Sequence, residues 1–237
     1  MVLTGRFLLE SRTVMTSPRE SASPPHDHSH DEQSAGGLWV PRFGRTERLA
    51  HWWTMAMVAT ALLTGLVMGD DGGSGPIVWM HAGSVALIVV GIAAALVVGD
   101  HRALLRSMRR LFGFDRRDAR WLRDRLRHPA DRDQEPAWGM FNTGQKLLAW
   151  ALTLSLIVVV VTGIQAWSAH TGEGGLHWSA VALTALLLGA HLFMAIVNPA
   201  TRPALAGMAF GRVRLSWSAE HHRAWLHDLE QSAQSPR

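Results

Sequence analysis

The segment Leu147–Trp167 reads LLAWALTLSLIVVVVTGIQAW and contains no Asp, Glu, Lys or Arg. The hydrocarbon core of a bilayer is about 30 Å thick, and an α-helix crosses it with about 20 residues at ~1.5 Å per residue. The segment is therefore long and apolar enough to predict a transmembrane helix. Three other segments share this length and composition: Leu49–Met68, Ile77–Val98 and Leu176–Val197.

Four such segments in a chain of 237 residues predict an all-α membrane protein with a four-transmembrane-helix bundle. A large soluble protein with buried apolar helices is the alternative, but a chain this short could not cover four of them. We expect the membrane domain to occupy residues 39–230. Residues 1–38, rich in Ser, Pro, Gly, His and Asp, are expected to form a disordered tail, and residues 231–237 a short second tail.

The basic residues are confined to the connections on one predicted side of the bundle. The connections 69–76 and 168–175 contain Asp or Glu but no Lys or Arg. The central loop 99–146 carries eleven Arg and one Lys, and further Arg flank the outermost spans. The positive-inside rule then places both termini and the basic central loop in the cytoplasm. Because topology explains the basic charge, we expect no nucleic-acid partner.

The central loop also contains a segment with helical periodicity. Arg102–Arg127 mixes Arg with Leu, Phe, Met and Trp at near-helical spacing. Such a helix could lie on the anionic inner surface of the membrane or dock a partner protein. The membrane surface requires no partner and is the simpler expectation.

The spans contain one kind of ionisable side chain, histidine, at His51, His81, His177 and His191. Ionisable residues inside a membrane are rare and indicate function. The predicted helix directions place His81 and His177 near the outer face, and His51 and His191 near the cytoplasmic face. His177 and His191 are 14 residues apart on one helix, about 21 Å along the axis and close to four whole turns, so they share a face.

Two histidine pairs from different helices favour two b-type haems. Haem iron accepts two axial imidazoles on opposite faces, and an antiparallel bundle offers that arrangement in its core. Zinc usually needs three or four ligands in one place, whereas these are split two and two. The chain has no cysteine, which excludes an iron–sulfur cluster in this chain and a covalently attached c-type haem. A transporter that uses the histidines for protons or metal ions, and a simple membrane anchor, are the alternatives from other classes.

Glycines inside the spans fit the same hypothesis. They would let a porphyrin approach a helix backbone, but small residues also serve ordinary packing between transmembrane helices. The sequence does not separate these two roles. The glycines concerned are Gly65, Gly83, Gly91, Gly163 and Gly189.

Several motifs resemble the membrane (gamma, cytochrome b556) subunit of respiratory formate dehydrogenase, a di-haem cytochrome b family. The similarity covers roughly residues 40 to 230. Met140 and the short outer connection 69–76 depart from the family pattern. The matching motifs are F-G-R-x-x-R-x-x-H-W at Phe43–Trp52, W-M-H-A-G at Trp79–Gly83, F-N-T-G-Q-K at Phe141–Lys146 and G-M-x-x-G-x-V-x-x-x-W-x-x-x-H-H-x-x-W at Gly207–Trp225.

The resemblance implies two haem b groups ligated by the same four histidines, His81 with His177 and His51 with His191. It implies a menaquinone or ubiquinone site near the inner haem, formed by Asn142, Gly144 and His191 with Gln145 adjacent. Asn and Gln can hydrogen-bond a quinone carbonyl, and Gly lets the ring approach the backbone. The alternative is that Asn142 simply caps the third transmembrane helix.

The resemblance also implies partners and a location. The partners are an iron–sulfur beta subunit and a molybdenum or tungsten catalytic alpha subunit, and the location is the bacterial inner membrane. This chain would pass electrons from the iron–sulfur partner to the quinone and would contain no formate-oxidising site. The cytochrome b subunit of a nickel–iron hydrogenase, or of another molybdoenzyme, is the alternative within the same class.

Overall fold

The computed structural model describes residues 37–69, 75–128, 137–169 and 174–234. Four helices among these residues are long and apolar enough to cross a membrane, so the predicted fold class is confirmed. They are α1 (Arg45–Met68), α2 (Pro76–Val98), α5 (Thr143–Ala169) and α6 (Gly175–Leu192), and a π-helical turn at Phe193–Val197 continues α6.

Shorter elements flank these spans. The N-terminal tail predicted over residues 1–38 lies outside the described residues, except for its last two. The last helix continues to Gln234, four residues into the segment that was expected to be a tail. The shorter elements are β1 (Trp39–Pro41), α3 (His101–Phe112), α4 (Arg116–Arg127), a 3₁₀ turn (Arg202–Ala204), α7 (Leu205–Phe210), β2 (Arg212–Arg214), α8 (Leu215–His221) and α9 (Arg223–Gln234).

The spans form two helical hairpins, α1 with α2 and α5 with α6. In the described residues, close backbone packing between spans occurs within each hairpin rather than between the hairpins. Gly91 is central to the first hairpin, because a Cβ at this position would lie 2.2 Å from the Trp53 indole. The indole Nε1 donates to the Leu87 carbonyl at 2.8 Å. Helix packing is therefore the role of this glycine.

Most of the surface of the spans is not covered by protein. Between 6% and 11% of the residues in the most apolar part of each span are buried. Exposed apolar surface on this scale is not stable in water. The outer walls of the hairpins therefore face lipid.

The other elements form a polar cap at one end of the bundle. We define the polar cap as residues 38–44, 101–128, 137–142 and 198–226. Its strands β1 and β2 are antiparallel, with Trp39 opposite Arg214, and so join the segment before the first span to the segment after the last span. Arg42 Nη2 donates to the Met140 carbonyl at 2.6 Å, which adds the central connection. Three distant parts of the sequence therefore meet at the same end of the bundle.

A buried arginine lies at the centre of the polar cap. The Arg42 guanidinium carbon lies 5.4 to 5.5 Å from the ring centroids of Phe43, Trp217 and Trp225. Burial lowers the pKa of Arg42 to about 10. The three aromatic rings stabilise the guanidinium through cation–π interactions, each worth about 0.5–2 kcal/mol.

His222, which is also buried, makes the polar cap sensitive to acid. Burial and the positive charge of Arg42 lower the pKa of His222 from 6.5 to about 4, and its Nδ1 donates to the Gly139 carbonyl at 2.7 Å. Between these two pKa values the unfolded chain binds a proton that the folded cap does not, so stability falls as the pH falls. The loss approaches roughly 3 kcal/mol near pH 4, at about 1.36 kcal/mol per pH unit.

We expect His222→Asn to reduce this acid sensitivity. The asparagine amide can donate to Gly139 in place of Nδ1 but cannot take up a proton. Amide hydrogen exchange in residues 138–142 and 213–226 should be compared between the two proteins at each pH from 7 to 4.5. The wild-type cap should lose protection relative to the variant as the pH falls. A constant ratio of exchange rates across this range would contradict the assignment.

Candidate functional site

The four histidines of the spans lie in two pairs, each shared between the hairpins. The ring centroids of His51 and His191 are 6.2 Å apart with an interplanar angle of 60°. Those of His81 and His177 are 6.4 Å apart with an angle of 82°. The structure therefore brings together the histidines that were predicted to lie at the same depth in the membrane. Ligation itself stays a prediction.

These separations fit two axial ligands on one metal ion. With metal–nitrogen bonds of ~2.0–2.1 Å and each nitrogen ~1.1 Å from its ring centroid, two imidazoles on opposite sides of a metal have centroids about 6.3 Å apart. Both observed separations lie within 0.1 Å of that value. Each pair bridges the two hairpins, and close backbone packing is confined to each hairpin, so a haem would lie between the hairpins.

The pairs occupy two depths. His177 and His191 lie on one continuous helix and are separated by about 21 Å along its axis at ~1.5 Å per residue. On the other hairpin, His81 lies beside Ala61, ten residues beyond His51 along α1. We call His81 and His177 the outer pair, and His51 and His191, on the side of the polar cap, the inner pair.

The outer histidines donate their Nδ1 protons to backbone carbonyls. His81 Nδ1 lies 3.0 Å from the Ala61 carbonyl oxygen, and His177 Nδ1 lies 3.1 Å from that of Val159. A carbonyl oxygen can only accept, so Nδ1 carries the proton in both rings. Each Nε2 is left with a lone pair, which is the state that binds a metal ion.

The inner pair lies beside tryptophan. The His51 and Trp52 rings meet edge-on with centroids 5.5 Å apart, and Trp52 Nε1 donates to the Met208 carbonyl at 3.1 Å. A Cβ at Gly189, two residues before His191, would meet no atom within 4 Å. The polar cap therefore fixes the surroundings of His51, while the backbone next to His191 remains accessible.

The predicted quinone residues lie at the start of α5, and two of them cap it. Asn142 Oδ1 accepts from the Gln145 backbone N–H at 2.8 Å, and Gln145 Oε1 accepts from the Asn142 N–H at 3.0 Å. This reciprocal pair is a capping box. It uses both side-chain oxygens, and the two amide nitrogens make no hydrogen bond within the described residues. Gly144 is exposed beside them.

The rest of the F-N-T-G-Q-K motif attaches α5 to α4. Lys146 Nζ lies 2.6 Å from Asp118 Oδ2, and the Thr143 hydroxyl donates to Asp118 Oδ1 at 2.6 Å. Burial of Asp118 acts to raise its pKa, but the hydrogen bonds from Lys146 and Thr143 outweigh burial, and the pKa is lowered. This pairing was not predicted from the sequence, although a lone lysine in an Arg-rich chain is a possible signal.

A helical membrane bundle with histidine pairs at two depths is the architecture of a b-type membrane cytochrome. The model of the prokaryotic cytochrome b561 family matches residues 42–211, and the chain belongs to this family. Membership implies that the protein binds haem b.

Three cytochrome b556 subunits of formate dehydrogenases are similar to this chain at low identity. The cytochrome b556 subunit of the nitrate-inducible formate dehydrogenase of Escherichia coli is 24% identical over 131 residues, 50% of this chain and 58% of that protein. The cytochrome b556 subunit of Haemophilus influenzae formate dehydrogenase is 26% identical over 100 residues, 38% of this chain and 41% of that protein. The match therefore spans about half the length of these relatives. The cytochrome b556(fdo) subunit of Escherichia coli formate dehydrogenase is 22% identical over 211 residues, 82% of this chain and 95% of that protein.

Proposed function

We propose that this chain is the di-haem cytochrome b subunit of a respiratory formate dehydrogenase in the bacterial inner membrane. An iron–sulfur beta subunit would deliver electrons at the end of the bundle that holds His81 and His177. That subunit would receive them from a molybdenum or tungsten catalytic alpha subunit. Menaquinone or ubiquinone would accept the electrons at the other end, beside the polar cap.

One observation carries this proposal: two histidine pairs, each spaced for a single metal ion, lie at opposite ends of one bundle. A transporter needs no such duplicated spacing, and an anchor needs no histidines in its spans. Bound haem supplies reversible one-electron transfer at each pair. The names of the relatives support formate as the source of the electrons.

The residues of the chain would have distinct tasks at the two ends. The outer histidines present Nε2 in a fixed tautomer, and the apolar spans would hold both pairs within the membrane. At the inner end, the amide nitrogens of Asn142 and Gln145 would donate hydrogen bonds to a quinone carbonyl. The basic polar cap would lie in the cytoplasm, in agreement with the positive-inside rule.

The intact complex, purified from its native membrane through a tag on this chain, tests the proposal. We expect two haems b per polypeptide, reduction of both by formate, and reoxidation by menadione. Reduction by hydrogen gas but not by formate would assign the chain to a nickel–iron hydrogenase instead. A folded preparation without haem would exclude a cytochrome and would favour a histidine-lined transporter.

Two variants in the same experiment separate quinone binding from helix capping. Asn142→Asp and Gln145→Glu each keep a side-chain oxygen for the capping box but lose the amide donor. Loss of a hydrogen bond of about 1–1.5 kcal/mol should raise the KM for menadione roughly tenfold, with haem content unchanged. Asn142→Ala is the control that also removes the cap. Unchanged menadione kinetics in both substituted proteins would leave these residues with capping alone.

A further inference from the structure

Each histidine of the outer pair meets a threonine hydroxyl on the helix that precedes it. The Thr64 hydroxyl oxygen lies 3.2 Å from His81 Nδ1. The Thr162 hydroxyl oxygen lies 3.2 Å from His177 Nδ1. The two hairpins therefore repeat one contact, with the same residue types at the same distance.

The hydrogen-bond roles in this contact follow from the neighbouring carbonyls. The Thr64 hydroxyl donates to the Thr60 carbonyl at 2.7 Å, and the Thr162 hydroxyl donates to the Val158 carbonyl at 2.8 Å. A hydroxyl has a single proton, so each threonine oxygen faces Nδ1 as an acceptor. Each outer imidazole thus shares its Nδ1 proton between a hydroxyl and a backbone carbonyl.

A glycine follows each of these threonines and lets the helix approach the ring. A Cβ on Gly65 would lie 3.3 Å from His81 Cε1, and a Cβ on Gly163 would lie 3.1 Å from His177 Cε1. Both values are shorter than an ordinary van der Waals contact. The Thr-Gly dipeptide therefore supplies the acceptor and also the space for the imidazole to reach it.

The inner pair lacks this support in the part of the chain that the structure describes. Neither His51 nor His191 forms a hydrogen bond through its ring there. The two rings contact each other, and the His51 ring also contacts Trp52. The two pairs have nearly equal ring separations. They differ in that the outer pair has hydrogen-bond acceptors at Nδ1, whereas the described residues give the inner pair none.

We propose that Thr64 and Thr162 are positioning residues that lower the midpoint potential of the outer haem below that of the inner haem. The proposal rests on the proposed function, because it requires haem at both pairs. An acceptor on Nδ1–H makes an imidazole a stronger ligand. A stronger ligand favours ferric over ferrous iron, so electrons that enter at the outer pair move toward the higher potential of the inner pair.

Helix packing is the competing explanation for these threonines. A threonine in a transmembrane helix commonly donates to the carbonyl four residues earlier and serves no cofactor. Thr60 provides the comparison, because it lies one turn from Thr64 on α1 and donates to the Ala56 carbonyl at 2.9 Å. Its hydroxyl contacts no histidine among the described residues, so Thr60→Val is a matched control.

The test is a spectroelectrochemical titration of the purified holoprotein, with haem content measured in each preparation. Thr64→Val and Thr162→Val keep the side-chain shape but remove the acceptor, whereas Thr64→Ser and Thr162→Ser keep it. We expect each valine variant to raise the midpoint potential of one haem and leave the other unchanged. A tenfold change in the relative affinity for ferric over ferrous haem corresponds to about 59 mV for this one-electron couple.

The serine variants and the Thr60→Val control should keep the wild-type midpoint potentials. In Thr64→Val and Thr162→Val, the low-field electron paramagnetic resonance signal of one haem should shift. Loss of one haem in a valine variant and its retention in the serine variant would also support the hydroxyl role. Unchanged potentials in loaded valine variants, or equal shifts of both haems, would overturn the inference while leaving the proposed function intact. A folded wild-type protein without two haems would overturn both.

Discussion

His177→Ala is expected to lower the haem content from two per chain to one, and His191→Ala is expected to remove the other haem. Each substitution would delete one of the two proposed axial ligands at a single depth, because His177 and His191 lie about 21 Å apart along α6 at ~1.5 Å per residue. The remaining pair keeps both imidazoles. Haem quantified per polypeptide, with reduced-minus-oxidised spectra of each purified variant, measures the outcome.

Two further variants make this experiment decisive. His227→Ala replaces an exposed histidine on α9 and should retain both haems. His177→Met offers the iron a thioether, so it should keep two haems and raise the potential of one, because a methionine ligand favours ferrous iron. Loss of both haems from each alanine variant, with His177→Met unable to restore either, would indicate a collapsed bundle instead of two separate sites.

The separation of the two pairs has an energetic consequence for a respiratory role. An electron that moves toward the cytoplasm works against a membrane that is negative inside, at about 2.3 kcal/mol per charge per 100 mV. A rise in potential from the outer to the inner pair would offset this cost. The Thr64 and Thr162 contacts lie at the pair where the proposed electron path would need the lower midpoint potential.

The four spans and the grouping of the histidines were predictable because both depend on local features. Length and composition decide whether a segment can span a membrane, and the rise of a helix converts residue numbers into depths. Helices α1 and α5 begin four residues before the apolar segments that start at Leu49 and Leu147. Their first turns are polar and attach to the polar cap, which a hydropathy pattern does not report.

The polar cap was not predictable because its contacts join distant parts of the sequence. Arg42 binds the Met140 carbonyl, and Trp39 lies opposite Arg214. An isolated arginine or tryptophan next to a span is equally typical of the membrane interface. Periodicity alone therefore could not show that these residues are folded against one another.

The roles of the polar residues near the histidines and at the start of α5 could be predicted only in part from the sequence. The Thr-Gly dipeptides at 64–65 and 162–163 occur before the second helix of each hairpin and could have been noticed as a repeat. The role of these threonines depends on which imidazole nitrogen faces the hydroxyl. Residue spacing in the sequence does not show the orientation of an imidazole ring. Capping of α5 by Asn142 was considered from the sequence, and the structure contains this cap. The reciprocal hydrogen bond from the Asn142 N–H to Gln145 was not predicted.

Lys146→Met is expected to destabilise the junction between α4 and α5 by about 3–5 kcal/mol, the usual cost of removing one partner from a buried ion pair. The Lys146 and Asp118 side chains are 10% and 2% exposed, so solvent cannot compensate the carboxylate that remains. Because the pKa of Asp118 is lowered in the folded state, the stabilisation is present above about pH 4 and is lost as the pH falls through the lowered pKa. Hydrogen exchange of the amides of residues 146–150 at pH 7 should accelerate about a hundredfold or more, since ~1.4 kcal/mol is a factor of ten.

An exposed ion pair on α4 provides the matched control. Arg123 Nε lies 3.0 Å from Asp124 Oδ1, but their side chains are 56% and 59% exposed, so Asp124→Asn should cost less than about 1 kcal/mol. The double variant Asp118→Leu with Lys146→Met removes both buried charges and should recover most of the lost stability, apart from the capping box of α4. Equal effects of Lys146→Met and Asp124→Asn would show that the buried pair does not hold α5 to the polar cap. The Asn142 and Gln145 amides would then depend on the capping box alone for their position at the inner end.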